Sequence, residues 1–148
     1  GEYLAEVAPQ AGLWPSDRDA RAYARAISAE MHSGFAALRR DMWMNVRRNF
    51  AGKGRTPEAL ADIARVEEIW RATRARFGAD GPYLFGKKFT LADCMYAPVA
   101  TRFVTWEPPL SAESKAYVAA IWEHPFVREW CKGADAEPWI VEKYENPR

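Results

Sequence analysis

Apolar side chains recur every three or four residues along most of this chain, which is the period of an amphipathic α-helix. The first such segment predicts a helix over residues 17–44, which would be about 40 Å long at 1.5 Å per residue if it is unbroken. Ser16 is its predicted N-cap, and Asp19 completes a capping box. Its apolar face consists of Ala20, Tyr23, Ala24, Ile27, Met31, Phe35, Leu38 and Met42.

A second long helix is predicted over residues 57–77. Thr56 is a suitable N-cap, Pro57 suits the first helical position, and Gly78 follows the last apolar residue of the segment. Both ends of this helix are therefore marked in the sequence.

A third helix is predicted to begin after Thr90, because Thr90 and Asp93 have the spacing of another capping box. This spacing satisfies two backbone amides at a helix start, so we favour a structural role for the pair over acid–base catalysis. Pro98 removes one internal hydrogen bond and should bend the helix axis. The apolar positions are Leu91, Met95, Val99 and Phe103.

Two shorter helices are predicted over residues 112–122 and 126–132, with His124-Pro125 between them and Gly133 as the final cap. An extended tail follows from residue 134. No long segment has the alternating pattern of a β-strand, and no segment repeats. The 148 residues are 49% hydrophobic, so we expect one all-α domain of five main helices.

The charge and cysteine content exclude several classes of protein. The formal net charge is +1, which argues against general binding to nucleic acid, although basic residues outnumber acidic ones twofold between residues 39 and 76. Cys94 and Cys131 are far apart and lack metal-ligand spacing, as expected for free thiols in the cytoplasm. No run of 18 apolar residues predicts a membrane span.

Several segments, in this order, resemble the C-terminal helical domain of the glutathione transferase superfamily, in a bacterial branch. The most specific are Phe-Thr-Leu-Ala-Asp at residues 89–93 and Ala-Pro-Val-Ala-Thr-Arg-Phe at residues 97–103. Residues 2–4, 12–15 and 30–39 are also similar, as is His-Pro-Phe at residues 124–126 with Trp130. The resemblance implies that residues 1–15 are the end of a thioredoxin-domain helix plus a linker, and that residues 16–148 form the helical domain.

The resemblance also implies where an electrophilic substrate would bind, namely along the second half of the first helix and its exit. The candidates are His32, Phe35, Arg39, Met42, Trp43, Asn45, Phe103 and Trp106. Aromatic residues at helical spacing are more often in a core, so Arg39 and Asn45 are the better candidates. Trp43 stands where the branch commonly has proline, so substrate specificity cannot be transferred.

In this superfamily a glutathione thiolate attacks the electrophile, and a thioredoxin-like N-terminal domain binds and activates the glutathione. The resemblance therefore implies glutathione as cosubstrate, a thioredoxin-like domain as partner, a homodimer, a small hydrophobic electrophile and a role in detoxification. It implies no catalytic residue within residues 1–148. Conjugation, isomerisation and reductive dehalogenation all remain possible reactions.

Two alternatives stay open at this point. The domain could instead be a non-catalytic module that mediates protein assembly, because the same fold serves both roles. His32 could act as an acid or base, but a surface or packing role is favoured because no carboxylates accompany it at ligand spacing. For the same reason we expect no metal site.

Overall fold

The computed structural model describes residues 1–147, and within that range the chain is all-α, as predicted, with no β-strand. The only β-type pairing among those residues is a bridge between Tyr83 and Gly86. None of the described helices is both long and apolar enough to span a membrane. The helices are α1 (Glu2–Val7), α2 (Arg18–Ser33), α3 (Ala36–Asp41), α4 (Pro57–Phe77), α5 (Leu91–Trp106), α6 (Ala112–Glu123) and α7 (Pro125–Ala136).

The long helices α2 and α4 pack antiparallel. The Tyr23 ring near the start of α2 lies 5.7 Å from the Phe77 ring at the end of α4, centroid to centroid. Further along, the Arg65 guanidinium of α4 binds the Glu30 carboxylate of α2, with Nε and Oε1 2.8 Å apart. These contacts set the direction of α4 against α2.

Helix α5 runs parallel to α2. The amide of Leu91, its first residue, donates to the carbonyl of Leu13 just before α2, at 2.8 Å. The Tyr96 hydroxyl then donates to the Ile27 carbonyl at 3.2 Å. The C-terminal ends of α2 and α5 therefore lie at the same end of the domain.

Trp70 of α4 occupies the centre of the core and is 1% exposed. Its ring makes edge contacts with Tyr96 and Phe103 of α5 and with Tyr117 of α6, at centroid distances of 5.9, 5.6 and 4.6 Å. Such aromatic pairs contribute beyond simple area burial. Trp70 thus joins the second long helix to both of the helices that follow it.

The predicted capping box is formed at the start of α5, and its carboxylate does more than cap the helix. Asp93 is fully buried. Its Oδ2 accepts from the Thr90 amide at 2.8 Å and from the Thr90 hydroxyl at 2.9 Å. Its Oδ1 accepts from the Leu84 amide and from the Tyr117 hydroxyl, both at 3.0 Å. Burial raises the pKa of this carboxyl, and the four donated bonds oppose that rise.

The prediction of one continuous first helix is wrong, because the chain breaks between α2 and α3. Gly34 is extended, and Phe35 adopts the left-handed conformation with φ of 59°. A side chain at Gly34 would place its Cβ 2.8 Å from the Glu30 carbonyl oxygen. The Asp62 carboxylate of α4 accepts from the Leu38 amide at 2.9 Å, so the new helix start is capped from a neighbouring helix.

Two smaller boundary predictions also need correction. The N-cap of α2 is Asp17, whose carboxylate accepts from the Ala20 amide at 2.8 Å, and not Ser16. Gly133 lies inside α7, which continues to Ala136, and so does not end that helix. The tail beyond α7 contains a 3₁₀ turn at Glu142–Tyr144 and folds back onto the loop that follows α3.

Replacing Asp93 with alanine should strongly destabilise the fold. The substitution leaves the Leu84 and Thr90 amides and the Tyr117 hydroxyl without an acceptor in the core, so we expect a loss of about 3 kcal/mol or more in the free energy of unfolding. Tyr117→Phe removes only one of the four donors and should cost about 1 kcal/mol. Urea unfolding of the two variants measures both losses, and equal losses would contradict the bonding scheme.

The N-cap of α7 should make stability depend on pH. Nδ1 of His124 accepts from the Phe126 amide at 3.3 Å, and its ring stacks on Phe89 with centroids 3.9 Å apart. Burial lowers the pKa of His124, because the charged imidazolium is disfavoured there. The contribution of His124 to stability is therefore complete above the ordinary imidazole pKa of about 6.5. It is lost as pH falls through the lower pKa that His124 has in the folded state.

The matched variant is His124→Asn, since asparagine can cap a helix but does not titrate in this range. It should melt at a lower temperature than the parent protein at pH 8, because the stacking on Phe89 is lost. At pH 5 the difference in melting temperature between the two proteins should be smaller. A difference that is the same at both pH values would show that His124 does not carry this effect.

Candidate substrate-binding site

The eight predicted pocket residues do not form one surface in the structure. Half of them have their side chains in the core, where they pack against other helices, and of these only Trp106 borders a cleft within residues 1–147, the one beneath the tail. These are Phe35, Met42, Phe103 and Trp106, with exposed fractions of 7%, 0%, 3% and 0%. The Trp106 indole donates from Nε1 to the Trp43 carbonyl at 2.8 Å, which is a packing role.

Trp43 and Asn45 lie in the loop after α3, beneath the C-terminal tail. The Trp43 Nε1 and the Asn45 amide nitrogen both donate to the Tyr144 carbonyl, at 2.8 and 3.0 Å. Asn45 also donates to the Glu145 carboxylate at 3.1 Å, and Arg48 pairs with that same carboxylate. In this conformation the polar groups of both predicted residues bind the chain's own tail.

Arg39 projects from α3 back towards the end of α2. Its Nη2 donates to the carbonyls of Met31 and His32, the latter at 3.1 Å. These carbonyls belong to the last turn of α2, where a positive charge is favoured by the helix dipole. No carboxylate pairs with Arg39 among the ion pairs of residues 1–147.

An open cleft of about 560 Å³ lies between the N-terminal segment, α2 and α5. His32 is the one predicted site residue that lines it. The other side chains facing this cleft are Glu2, Trp14, Arg25, Ser28, Ala29, Leu91 and Met95. Glu2 and Arg25 form a bidentate ion pair at 2.9 and 2.5 Å on one side. We call this the α2/α5 cleft.

The partly exposed face of α5 continues beyond the α2/α5 cleft. Leu91, Met95, Pro98 and Arg102 are half-buried, and their spacing of four, three and four residues places them on one face of the helix. Arg102 comes last, near the C-terminal end. Sequence analysis did not select it, although an arginine that ends an otherwise apolar stripe is the signal that would have found it.

The two thiols lack the environment of an activated nucleophile. Partial burial and the nearby Asp93 carboxylate raise the pKa of Cys94, and burial with the nearby Asp135 raises that of Cys131. Both shifts disfavour the reactive thiolate. Within residues 1–147 no three His, Cys, Asp or Glu side chains are grouped so that they could hold a metal ion.

Comparison with known proteins identifies the family. The sequence model of the glutathione S-transferase C-terminal domain matches residues 20–133. The chain belongs to this family. No curated protein sequence matches it.

Two solved structures share the fold. One is a glutathione transferase homolog from Burkholderia gl BGR1 with bound glutathione, at 24% identity and a TM-score of 0.64, with 92% of this chain and 64% of that chain covered. The other is the holo structure of maleyl pyruvate isomerase, a bacterial zeta-class glutathione S-transferase, at 23% identity and a TM-score of 0.66. In that match 95% of this chain and 68% of that chain are covered. The domain thus spans about two thirds of either protein.

The contacts of Trp43 and Asn45 should hold the tail in place. We expect the double variant Trp43→Phe, Asn45→Ala to be cleaved by trypsin after Lys143 several times faster than the parent chain, because both donors to the Tyr144 carbonyl are lost. Mass spectrometry of brief digests measures this cleavage. Asn49→Ala in the same loop is the matched control, because the bonds that it loses go to Glu107 and to the Ala51 amide and not to the tail. Unchanged cleavage of the double variant would mean that other contacts hold the tail.

Proposed function

We propose that this chain is the electrophile-binding domain of a glutathione transferase-like protein, in which a thioredoxin-like domain on the N-terminal side binds glutathione. The family match over residues 20–133 supports this proposal, as does a fold similar to that of two glutathione transferases. The observation that carries it is the α2/α5 cleft. Gly1, Glu2 and Trp14 of the N-terminal segment line part of the cleft, so a preceding domain would lie next to it.

The cleft has the chemistry that such a role requires. Leu91 and Met95 supply an apolar wall for the electrophile, and His32, whose carbonyl accepts from Arg39, lies on the α2 side. Trp43 and Asn45 line two other clefts, beside the C-terminal tail, and are not part of this surface. Phe35, Met42, Phe103 and Trp106 are omitted from the proposed pocket because they are buried in the core.

The reaction itself would take place on glutathione. Its thiolate sulfur forms a bond to the electrophilic carbon, and in a substitution the leaving group departs with the bonding electron pair. The thioredoxin-like domain would hold the tripeptide and lower the pKa of its thiol. The helical domain would orient the electrophile in front of that sulfur, and conjugation, isomerisation and reductive dehalogenation are all compatible with this division.

We also propose a cytoplasmic homodimer with a role in detoxification. Tyr3, Leu4 and Val7 of α1 are 74%, 55% and 62% exposed, which is unusual for large apolar side chains on a free surface. The two cysteines are unpaired, as in proteins of a reducing compartment. Covering α1 by the preceding domain or by a second copy would remove this apolar surface from water.

A non-catalytic interaction module is the second candidate. Phe126 of α7 is 70% exposed and Trp139 in the tail is 76% exposed, and each offers aromatic surface to a protein partner. The sequence encoded directly upstream of Gly1 separates the two candidates. A thioredoxin-like pattern with a Ser, Cys or Tyr near its start favours the enzyme.

The direct test is glutathione conjugation by the protein that carries this domain together with its glutathione-binding domain. With 1-chloro-2,4-dinitrobenzene and glutathione, absorbance of the thioether product should rise above the uncatalysed rate. Residues 1–148 alone should give only the uncatalysed rate, because the thiol-activating group is expected outside them. Turnover by residues 1–148 alone would refute this division of labour.

A further inference from the structure

Arg102 carries a charge that nothing in the described chain neutralises. Its Nη1 donates to the Pro98 carbonyl at 3.0 Å, and its buried Nε has no hydrogen-bond partner in the part of the chain that the structure describes. It appears in none of the ion pairs formed within residues 1–147. A half-buried guanidinium in this state is costly, and such exceptions call for an explanation.

A second cation lies close to it. Burial, and to a smaller extent the like charge of Arg39, lowers the pKa of Arg102 to about 10. Among the described residues, the Arg39 side chain bonds only to the carbonyls at the end of α2. Because α2 and α5 run parallel, both guanidiniums lie at the C-terminal end of these helices, where they repel each other unless an anion sits near them.

Arg39 and Arg102 lie beyond one end of the α2/α5 cleft. Leu91 and Met95 line the cleft, and Arg102 continues the same face of α5 beyond Pro98. On the α2 side, His32 lines the cleft and its carbonyl accepts from Arg39. A ligand lying along this face would therefore meet apolar side chains first and two guanidinium groups at its far end.

We propose that Arg102, supported by Arg39, binds a carboxylate carried by the electrophile, so that the substrates of this protein are acidic aromatic or aliphatic electrophiles. A guanidinium can bind a carboxylate through two parallel hydrogen bonds, and the Nε of Arg102 has no partner of its own within residues 1–147. The inference rests on the proposed function, because it names the substrate class of the same cleft.

Two other carboxylates could occupy the same place. Glutathione itself carries two, and an Asp or Glu of the neighbouring thioredoxin-like domain could form an ion pair with Arg102. The three sources differ in what they predict. If the carboxylate belongs to the electrophile, replacing Arg102 slows only the reactions of acidic substrates. If it belongs to glutathione, the replacement raises the KM for glutathione with every substrate. If it belongs to the neighbouring domain, the replacement lowers stability.

The experiment compares 4-chloro-3-nitrobenzoate with its methyl ester in the protein that contains both domains. In both reactions the glutathione sulfur bonds to the ring carbon that bears chlorine, chloride leaves with the bonding pair, and the thiol proton goes to solvent. The variants are Arg102→Met, which removes the charge, and Arg102→Lys, which keeps it without the planar fork. Arg128→Met is the control, since Arg128 is exposed on α7 and pairs with Glu123.

The ratio of kcat/KM for the acid to kcat/KM for the ester decides whether Arg102 binds the carboxylate of the electrophile. Arg102→Met should lower this ratio by about 10- to 100-fold, the range for a lost hydrogen bond to a charged group. Arg102→Lys should lower the ratio less, and Arg128→Met should leave the ratio unchanged. The melting temperature of Arg102→Met should not fall, because an uncompensated charge is removed.

Each alternative result has a definite meaning. An unchanged acid-to-ester ratio in Arg102→Met overturns the inference, whether the KM for glutathione rises or the melting temperature falls, because the carboxylate then comes from another source. It leaves the proposed function intact as long as the ester is still conjugated. Failure of the parent protein to conjugate either compound refutes the proposed function and the inference together.

Discussion

Three parts of the chain meet at one buried carboxylate. Asp93 accepts hydrogen bonds from the Leu84 amide, from the amide and hydroxyl of Thr90, and from the Tyr117 hydroxyl. Burying a carboxylate is costly, and only a complete set of donors offsets that cost. The loop before α5, the start of α5 and the middle of α6 must therefore all be in place together. The direction of α5, and with it one wall of the cleft, depends on this arrangement.

The break between α2 and α3 has a consequence for the site. A continuous helix would have carried Arg39 away from α2 along its axis. The extended Gly34 and left-handed Phe35 instead turn the chain, so that Arg39 reaches back to the last carbonyls of α2. Asp62 of α4 caps the new start and compensates for the interruption. The proximity of Arg39 and Arg102 thus results from a backbone turn rather than from helix periodicity.

The C-terminal tail gives the loop after α3 a different role from the one expected. Trp43 and Asn45 donate to the Tyr144 carbonyl, and Arg47 donates to the carbonyls of Glu137 and Trp139, at 2.7 and 3.1 Å. The polar side chains of this loop therefore satisfy backbone groups of the tail. The α2/α5 cleft is an open cleft that no tail residue up to 147 lines, whereas Trp43 and Asn45 line separate clefts that they share with the tail.

The sequence by itself determined the helical class, the extent of α4, and the capped start of α5, because each follows from periodicity and local capping within a few residues. It also determined the family, through segments in a fixed order. Tertiary structure decided which polar side chains meet. The break at Gly34 depends on a cap from Asp62, 28 positions away. The proximity of Arg39 to Arg102 depends on helices lying side by side, and neither of these long-range relations leaves a periodic trace in the chain.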